Sequence, residues 1–470
     1  MSDFEFENED FFNIDELVQQ YEDAQRKNKS RFFDQEDFES IIEYYQFSGR
    51  YDEAMQVSDE SLKQHASSAI LWIKRAQLYF ELKNIEMALI ALDTAGNYDP
   101  NEIEIDLLKA EIYTFQSKYQ EAVDILESLL DKAERDEKID VYLQLCDVYE
   151  DWEKYPQVYD YLLLCLALDD QNSEALNRLN YVVEITNQFE ESIHLHQKII
   201  DQHPYNYLAW YNLACAYRGT HQIEKAIEAY EYVIAINDKV DYAYTEIAEI
   251  YYNTKEYKKA LDILKDLCEL MEPDDEVFFM QGKCFEAMGD MKMARYNFRK
   301  CVHENPANSQ AYFRIGETYK QEGQWQQAYK AFQKAADLEK EQYEFCLAMA
   351  EAAMEINEIE VAVEACETAI DIFINRHEAY FILASIMALN DDTETALEII
   401  DKGIGISKSK LELRYAQAAI YVMENKLKHA EMLLTELLTE DEFEVYNCMF
   451  DFCPALEENV WLNNLIERFY

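Results

Sequence analysis

A small residue returns at a fixed interval along most of this chain. Ala54, Ala88, Ala122, Val158, Ser192, Ala226, Ala260, Ala294, Ala328, Ala362, Ala396 and Ala430 are spaced by 34 residues, except for a step of 36 between Ala122 and Val158. Ten of the twelve are alanine, far above ordinary usage. A period in this range is the mark of a repeat array, so the chain is read as one supersecondary unit used over and over. With the small residue as the twentieth of its unit, twelve units run over 35–444, and the two extra residues fall in the stretch AERDEK before Ile139.

Other columns keep the same phase. The eleventh residue is tyrosine in eight units: Tyr45, Tyr79, Tyr113, Tyr149, Tyr217, Tyr251, Tyr319 and Tyr421. The eighth is Ala, Cys or Gly in ten, and Gly49, Gly289 and Gly323 mark a turn between two helices. Apolar residues at the fourth, seventh, eighth and eleventh places share one face of a first helix. A small eighth residue lets the second helix approach closely, so Gly316 and Ala328 are expected to face each other in repeat nine. One hairpin cannot bury both of its faces, so neighbours must stack. The fold class is therefore all-α, an α-solenoid of stacked helical hairpins. Only 9 Gly and 6 Pro in 470 residues agree with it.

These columns resemble the tetratricopeptide repeat (TPR). The best matches are YFRIGETYKQEGQWQQAYKAFQKAADL, from Tyr312 to Leu338, and AWYNLACAYRGTHQIEKAIEAYEYVIAI, from Ala209 to Ile236. LWIKRAQLYF with its Pro100 follows. The resemblance implies a right-handed TPR superhelix whose concave groove carries the first helices. Repeats four and five depart from the pattern: Val158 and Ser192 replace alanine, and Asn180 and Val183 replace the small residue and the tyrosine. Their first helices are expected to pack loosely or to shift the superhelix.

The ends read as caps. Residues 1–34 form an acidic N-terminal tail, disordered over 1–10, and a capping helix. Asn13 with Glu16 reads as a capping box and Phe12 with Leu17 as a hydrophobic staple, for a helix from about Ile14 to Asn28. Residues 445–470 read as two amphipathic capping segments broken at Pro454, or as a docking or dimerising element.

Charge narrows the function. The chain holds 95 Asp and Glu against 42 Lys and Arg, a net charge of −53. Such a balance excludes direct, non-specific nucleic-acid binding and attraction to an anionic membrane. MSDFEFENED is no signal peptide, and no apolar run is long enough to span a membrane. Ten dispersed cysteines without a CxxC pair read as reduced apolar residues of a cytoplasmic protein. There is no Gly-rich phosphate loop: Gly403 and Gly405 form the only close glycine pair. His194 and His196, two apart on a helix, face different ways, and His196 falls at a core place. No catalytic residue, metal ligand or cofactor is expected, and the chain is read as a non-enzymatic scaffold or adaptor.

The second, fifth, ninth and twelfth places share the face of the first helix beside the core stripe. Over twelve units they hold 18 acidic residues and three basic ones, Arg218, Lys283 and Lys320. Eight of the acids stand at the second place, where the helix dipole favours them whatever the ligand, and the enrichment survives their removal. Aromatic residues interleave. The candidate partner-binding set is Glu111, Asp147, Glu150, Tyr181, Glu184, Tyr211, Tyr242, Glu249, Tyr252, Phe279, Phe313, Glu317, Glu351 and Phe381. Carboxylates beside aromatic faces suit Lys- and Arg-rich segments, although the fifth-place aromatics also suit packing between repeats. Family members that hold heat-shock-protein tails use Lys and Asn on this face to clamp a C-terminal carboxylate. That clamp is absent here. The expected ligand is a basic protein or basic extended segment. The alternatives are a nucleic-acid mimic that occupies the basic site of a nucleic-acid-binding protein, and an assembly chaperone for such proteins. One region opposes the general charge: residues 281–340 carry ten Lys or Arg and seven Asp or Glu, with Lys292, Arg295, Arg299, Lys330 and Lys334 on outward-facing second helices. It reads as ordinary surface balance, or as a convex docking site for an acidic partner or for the molecule's own acidic end. The oligomeric state is left open.

Overall fold

The computed structural model describes residues 8–26, 31–440 and 445–469, with side chains from Ile14 onward in the first stretch. Among them every regular element is a helix. The chain divides into two compact units, residues 1–237 and 238–470, with six helical hairpins in each. In the first unit the first helices begin at Gln35, Ala69, Ile103, Arg135, Ser173 and Tyr207; in the second, at Asp241, Asp275, Ser309, Tyr343, His377 and Leu411. All but Arg135 are the first residue of the 34-residue frame. Every second helix begins at the seventeenth residue, from Tyr51 to Leu427. The α-solenoid of helical hairpins expected from the spacing is therefore the fold.

The twentieth-place column is the tightest part of each hairpin. Its ten alanines and Val158 are completely buried, and Ser192 is buried too. The turn before it is equally regular. The fifteenth residue has a left-handed backbone in all twelve repeats, and nine of these residues are not glycine, from Lys83 to Asn425. The amide of the sixteenth residue then donates to the carbonyl of the eleventh over 2.7–3.3 Å, as in Asn84 to Tyr79 and Glu256 to Tyr251. This six-to-one bond is the Schellman closure of the first helix. It sets where the second helix starts.

Gly316 differs from expectation. A Cβ built on it would lie 2.4 Å from the Phe332 ring, and one on Gly282 would lie 2.5 Å from Phe298. The missing side chain makes room for a fully buried aromatic of the second helix, rather than for Ala328. The extra residues before repeat four also differ. Arg135–Asp151 is a 17-residue helix whose added turn is closed by Glu137, which accepts from the Glu134 amide at 2.7 Å. Repeat four packs normally, because Cys146 at its eighth place lies beside Val158 and donates its thiol to the Val158 carbonyl. Repeat five is loose, as expected. Its first helix, Ser173–Thr186, barely touches its own partner, Phe189–Gln202, and packs instead on the second helix of repeat four and the first of repeat six.

A polar network fills the space this leaves. His196 is buried, with Nδ1 2.7 Å from the Ser192 carbonyl and Nε2 3.2 Å from Asn212 Nδ2. Asn212 also donates to the Leu176 carbonyl at 2.7 Å. This set requires the neutral tautomer, with the proton on Nδ1 and Nε2 accepting. Burial lowers the His196 pKa to about 4.

The N-terminal cap is longer than the sequence suggested. Its helix is Asn8–Arg26, so residues 8–10 are helical and Asn13 lies inside the helix rather than before it. Residues 1–7 and 27–30, which include the rest of the expected tail and the expected helix end, lie outside the described residues, as do 441–444 of repeat twelve. The capping box is at Asp34, whose amide donates to Asp37 at 3.1 Å. Tyr21 meets Phe33 and Phe38 edge-on and covers the open side of repeat one. At the other end, Cys448–Phe452 is a short helix and Pro454 opens a 3-10 turn. Phe452 is fully buried against Phe381 of repeat eleven, with ring centroids 5.3 Å apart, and its carbonyl accepts from Ser385 Oγ at 2.7 Å.

Two outcomes follow from this packing. Gly316→Ala should cost about 1–3 kcal/mol in denaturant unfolding, because Phe332 has no room to retreat, and the double variant with Phe332→Leu should recover most of it; a neutral single variant would contradict the assignment. The second concerns pH. The His196 pKa is depressed on folding, so its neutral form contributes stability above about pH 6.5 that is lost as pH falls towards about 4, roughly 3 kcal/mol in all. The thermal-midpoint advantage of the wild type over His196→Gln should therefore shrink across that window, and an advantage that grew on acidification would refute it.

Candidate functional site

The second, fifth, ninth and twelfth places lie on the first helices, and the structure splits the candidate set between the two units. Glu111, Asp147, Glu150, Tyr181, Glu184 and Tyr211 belong to repeats three to six of the first unit. Tyr242, Glu249, Tyr252, Phe279, Phe313, Glu317, Glu351 and Phe381 belong to repeats seven to eleven of the second.

In the first unit, Arg178 reaches Asp147 at 2.8 Å and Glu150 at 2.9 Å, bridging repeats four and five. Arg218 reaches Glu184 at 3.3 Å. Among the described residues Glu111 pairs with no cation. Burial raises its pKa, and the charges of Glu81 and Asp147 raise it further. Tyr181 is 57% exposed and touches Tyr155 edge-on. Tyr211 leans on Tyr230 with centroids 5.6 Å apart.

In the second unit, Glu249 is exposed and pairs with no cation among the described residues. Tyr242 is 39% exposed. Tyr252 carries the Lys283 ammonium 4.5 Å above its ring. Glu317 is pushed upward by burial; Lys320 opposes the shift and Glu351 adds to it. Lys320 itself is paired with Glu351. Phe279 packs on Phe298, Phe313 on Phe332 and Phe345, and Phe381 on Phe452, all half-buried. These three phenylalanines join neighbouring elements and present only an edge to solvent.

A cleft of about 400 Å³ lies beside this last group. It is lined by Glu351, Glu355, His377, Phe381, Glu412 and Asp451, among others, and the C-terminal segment supplies Asp451 and Cys448. His377 stands 3.5 Å from Glu378 and 3.6 Å from Glu412.

The basic region on the second helices is less exposed than its sequence implies. Arg295 is 9% exposed, its guanidinium 2.9 Å from Glu322, 3.3 Å from Thr318 Oγ1 and over the Tyr319 ring. It is a structural cation of repeats eight and nine, not part of an outward docking patch. The guanidine–Tyr side-chain contact pattern could not be read from charge alone. Lys292, Arg299, Lys330 and Lys334 are exposed.

All ten cysteines are free thiols and eight are buried; burial raises Cys284 to about 11 and Cys366 to about 12, so these two are inert apolar fillers. Among the described residues no cluster of His, Cys, Asp and Glu could hold a metal ion, and no helix is long and apolar enough to cross a membrane.

Comparison with known families agrees with the packing. A family model described as "Anaphase-promoting complex, cyclosome, subunit 3" matches residues 48–129 and 219–301, and two tetratricopeptide-repeat models match 197–228 and 309–342. The chain is a tetratricopeptide-repeat protein. No curated protein sequence matches it. Among solved structures, this TPR protein is similar to the APC/C hetero-tetramer Cut9-Hcn1, with 14% identity over 79% of this chain and 86% of that one and a TM-score of 0.37. It is also similar to YrrB, described as a TPR protein with an unusual peptide-binding site, with 20% identity over 39% of this chain and 95% of that one and a TM-score of 0.34. MamA 41-end from Desulfovibrio magneticus RS-1 matches with 20% identity over 35% of this chain and 94% of that one, at a TM-score of 0.33.

The carboxylates of this TPR protein outnumber its cations, 95 to 42, and several, such as Glu111 and Glu249, have no cation among the described residues. Its thermal midpoint should therefore rise between about 0.02 M and about 0.3 M NaCl, as screening shortens the range of self-repulsion. A flat or falling midpoint would mean that the acids are compensated locally.

Proposed function

We propose that this TPR protein is a non-catalytic scaffold whose first-helix faces hold a basic protein or a basic extended segment, and that it works in the cytoplasm. One observation carries the reading: the three cations of this face lie on candidate residues, Arg218 on Glu184, Lys283 over Tyr252 and Lys320 on Glu351. Arg178 also sits between Asp147 and Glu150. These are charge-assisted and cation–π contacts made in cis, the same chemistry a Lys- or Arg-rich segment would bring in trans. Glu111 and Glu249 offer the same groups with no cation of the described chain on them. Tyr181 and Tyr242 supply exposed aromatic surface on first helices of the same two units. The half-buried Phe279, Phe313 and Phe381 act as a stiff backing rather than as anchors.

The reading is tested with a fluorescein-labelled decapeptide of alternating Lys and Ala. Its association rate with the full chain should fall about fivefold in Glu249→Lys/Glu317→Lys, with helicity unchanged, because nearby charge steers the encounter. The same charge change on a second helix, Glu360→Lys/Glu364→Lys, should have much less effect, since the Debye length is about 8 Å at physiological salt. Equal slowing by both pairs would reduce the binding to net charge and end the proposal. Displacement of a native basic partner by RNA would favour the nucleic-acid mimic.

A further inference from the structure

The cleft formed by the first helices of repeats two, three and four has chemistry beyond a general acidic face. Its volume is about 500 Å³, inside the range of ligand pockets, and its walls come from Ala69–Glu81, Ile103–Phe115 and Arg135–Asp151. Phe80 and Phe115 meet edge-on at 5.5 Å, and Phe115 is 60% exposed, so one aromatic face is open to the cleft mouth. Glu111, Asp147 and Asp151 supply three carboxylates. Only Asp147 has a cation among the described residues, Arg178. Gln144 also lines the cleft, and its amide oxygen is buried with no hydrogen-bond donor among the described residues. A buried acceptor without a donor costs about 1–3 kcal/mol, and this one lies beside two unpaired carboxylates.

We propose that this cleft is a receptor for an arginine side chain of a protein partner, with the guanidinium held by Glu111 and Asp151, hydrogen-bonded to Gln144, and stacked on Phe115. The inference rests on the reading of the first-helix face as a surface for basic segments, and it names the side chain and the place. A guanidinium is planar, carries five donors and lies flat on aromatic rings. The cleft offers acceptors on more than one side and a ring at its mouth. An ammonium ion would meet the carboxylates but would stack poorly and leave acceptors unfilled. A divalent metal is the wrong occupant, since no ligand cluster of the required kind exists among the described residues. The Glu111 pKa is raised first by desolvation and then by the charges of Glu81 and Asp147, and a cation in the cleft offsets that repulsion. Phe80, Phe115, Gln144 and Asp151 were not in the set drawn from the 34-residue columns, because three of them lie one or more places off those columns.

The test uses the full chain and a fluorescein-labelled decapeptide of alternating Arg and Ala, followed by fluorescence anisotropy. Glu111→Gln/Asp151→Asn keeps the shape of both side chains and removes both charges. It should weaken binding about tenfold, the loss expected when hydrogen bonds to charged groups become neutral ones. Glu190→Gln/Glu191→Gln, an equal charge change on the second helix of repeat five, should change binding less than about twofold. The matched Lys peptide should bind the wild type at least about threefold more weakly and respond less to the cleft variant. If both charge pairs weaken the Arg peptide equally, or the Lys peptide is bound as well, the arginine cleft is refuted. If the Arg peptide ignores the cleft variant but responds to Glu249→Lys/Glu317→Lys, the general reading stands and this site falls. If it responds to neither, both fall.

Discussion

The close approach of two helices over a side chain no larger than alanine is the contact on which the rest depends. At each twentieth place the second helix presents Ala, or once Val or Ser, with almost no surface left to solvent. One turn further along the second helix the chain places Leu or Ile in half of the repeats and a fully buried aromatic in three, Tyr230, Phe298 and Phe332. Phe332 lies over Gly316 and Phe298 over Gly282. The interlock is local, so each repeat is held by its own hairpin and its nearest neighbours. Where the rule is relaxed, at Ser192, a polar network takes over and the first helix of repeat five leaves its partner for the next repeat.

That scaffold turns the first helices into a surface without requiring it for stability. The core stripe uses the fourth, seventh, eighth and eleventh places, which leaves the second, ninth and twelfth for charge. Internal cations bridge repeats where they exist, as at Arg178, Arg218 and Lys320. Glu111 has no cation among the described residues, and desolvation raises the pKa of Glu111 and, despite nearby Arg314 and Lys320, of Glu286 and Glu317. Such a face gains free energy when a cation arrives, which links the charge excess of the sequence to the proposed partner.

The frame of the fold was legible because a 34-residue period fixes helix starts without any knowledge of tertiary contacts. Eleven first helices and all twelve second helices start at the framed residue. The exceptions have physical causes. The added turn at Arg135 is polar and charged, so it reads as linker, yet a capping box at Glu134 makes it helix. Asn13 carried the right spacing for a cap, but the chain before it is helical as well. The left-handed fifteenth residue was visible only at three glycines, since the Schellman bond imposes that backbone on Lys, Ser, Glu, His, Asn and Asp as well, at about 1 kcal/mol or more each. The columns picked out the face proposed for the site but not which of its side chains pair or pack. Burial of Arg295, the seating of Phe381 under Phe452, and the cleft around Gln144 depend on which side chains meet across repeats, and spacing alone does not give that.

The central claim is that the first helices, and not the second, are the working surface. Hydrogen exchange of the full chain with and without a saturating Arg-Ala decapeptide tests it most directly. The account predicts added protection in first helices, strongest over Ile103–Phe115 and Arg135–Asp151, with the intervening second helix Tyr119–Leu130 unchanged. Protection of second helices instead, or an even change along the chain, would contradict it.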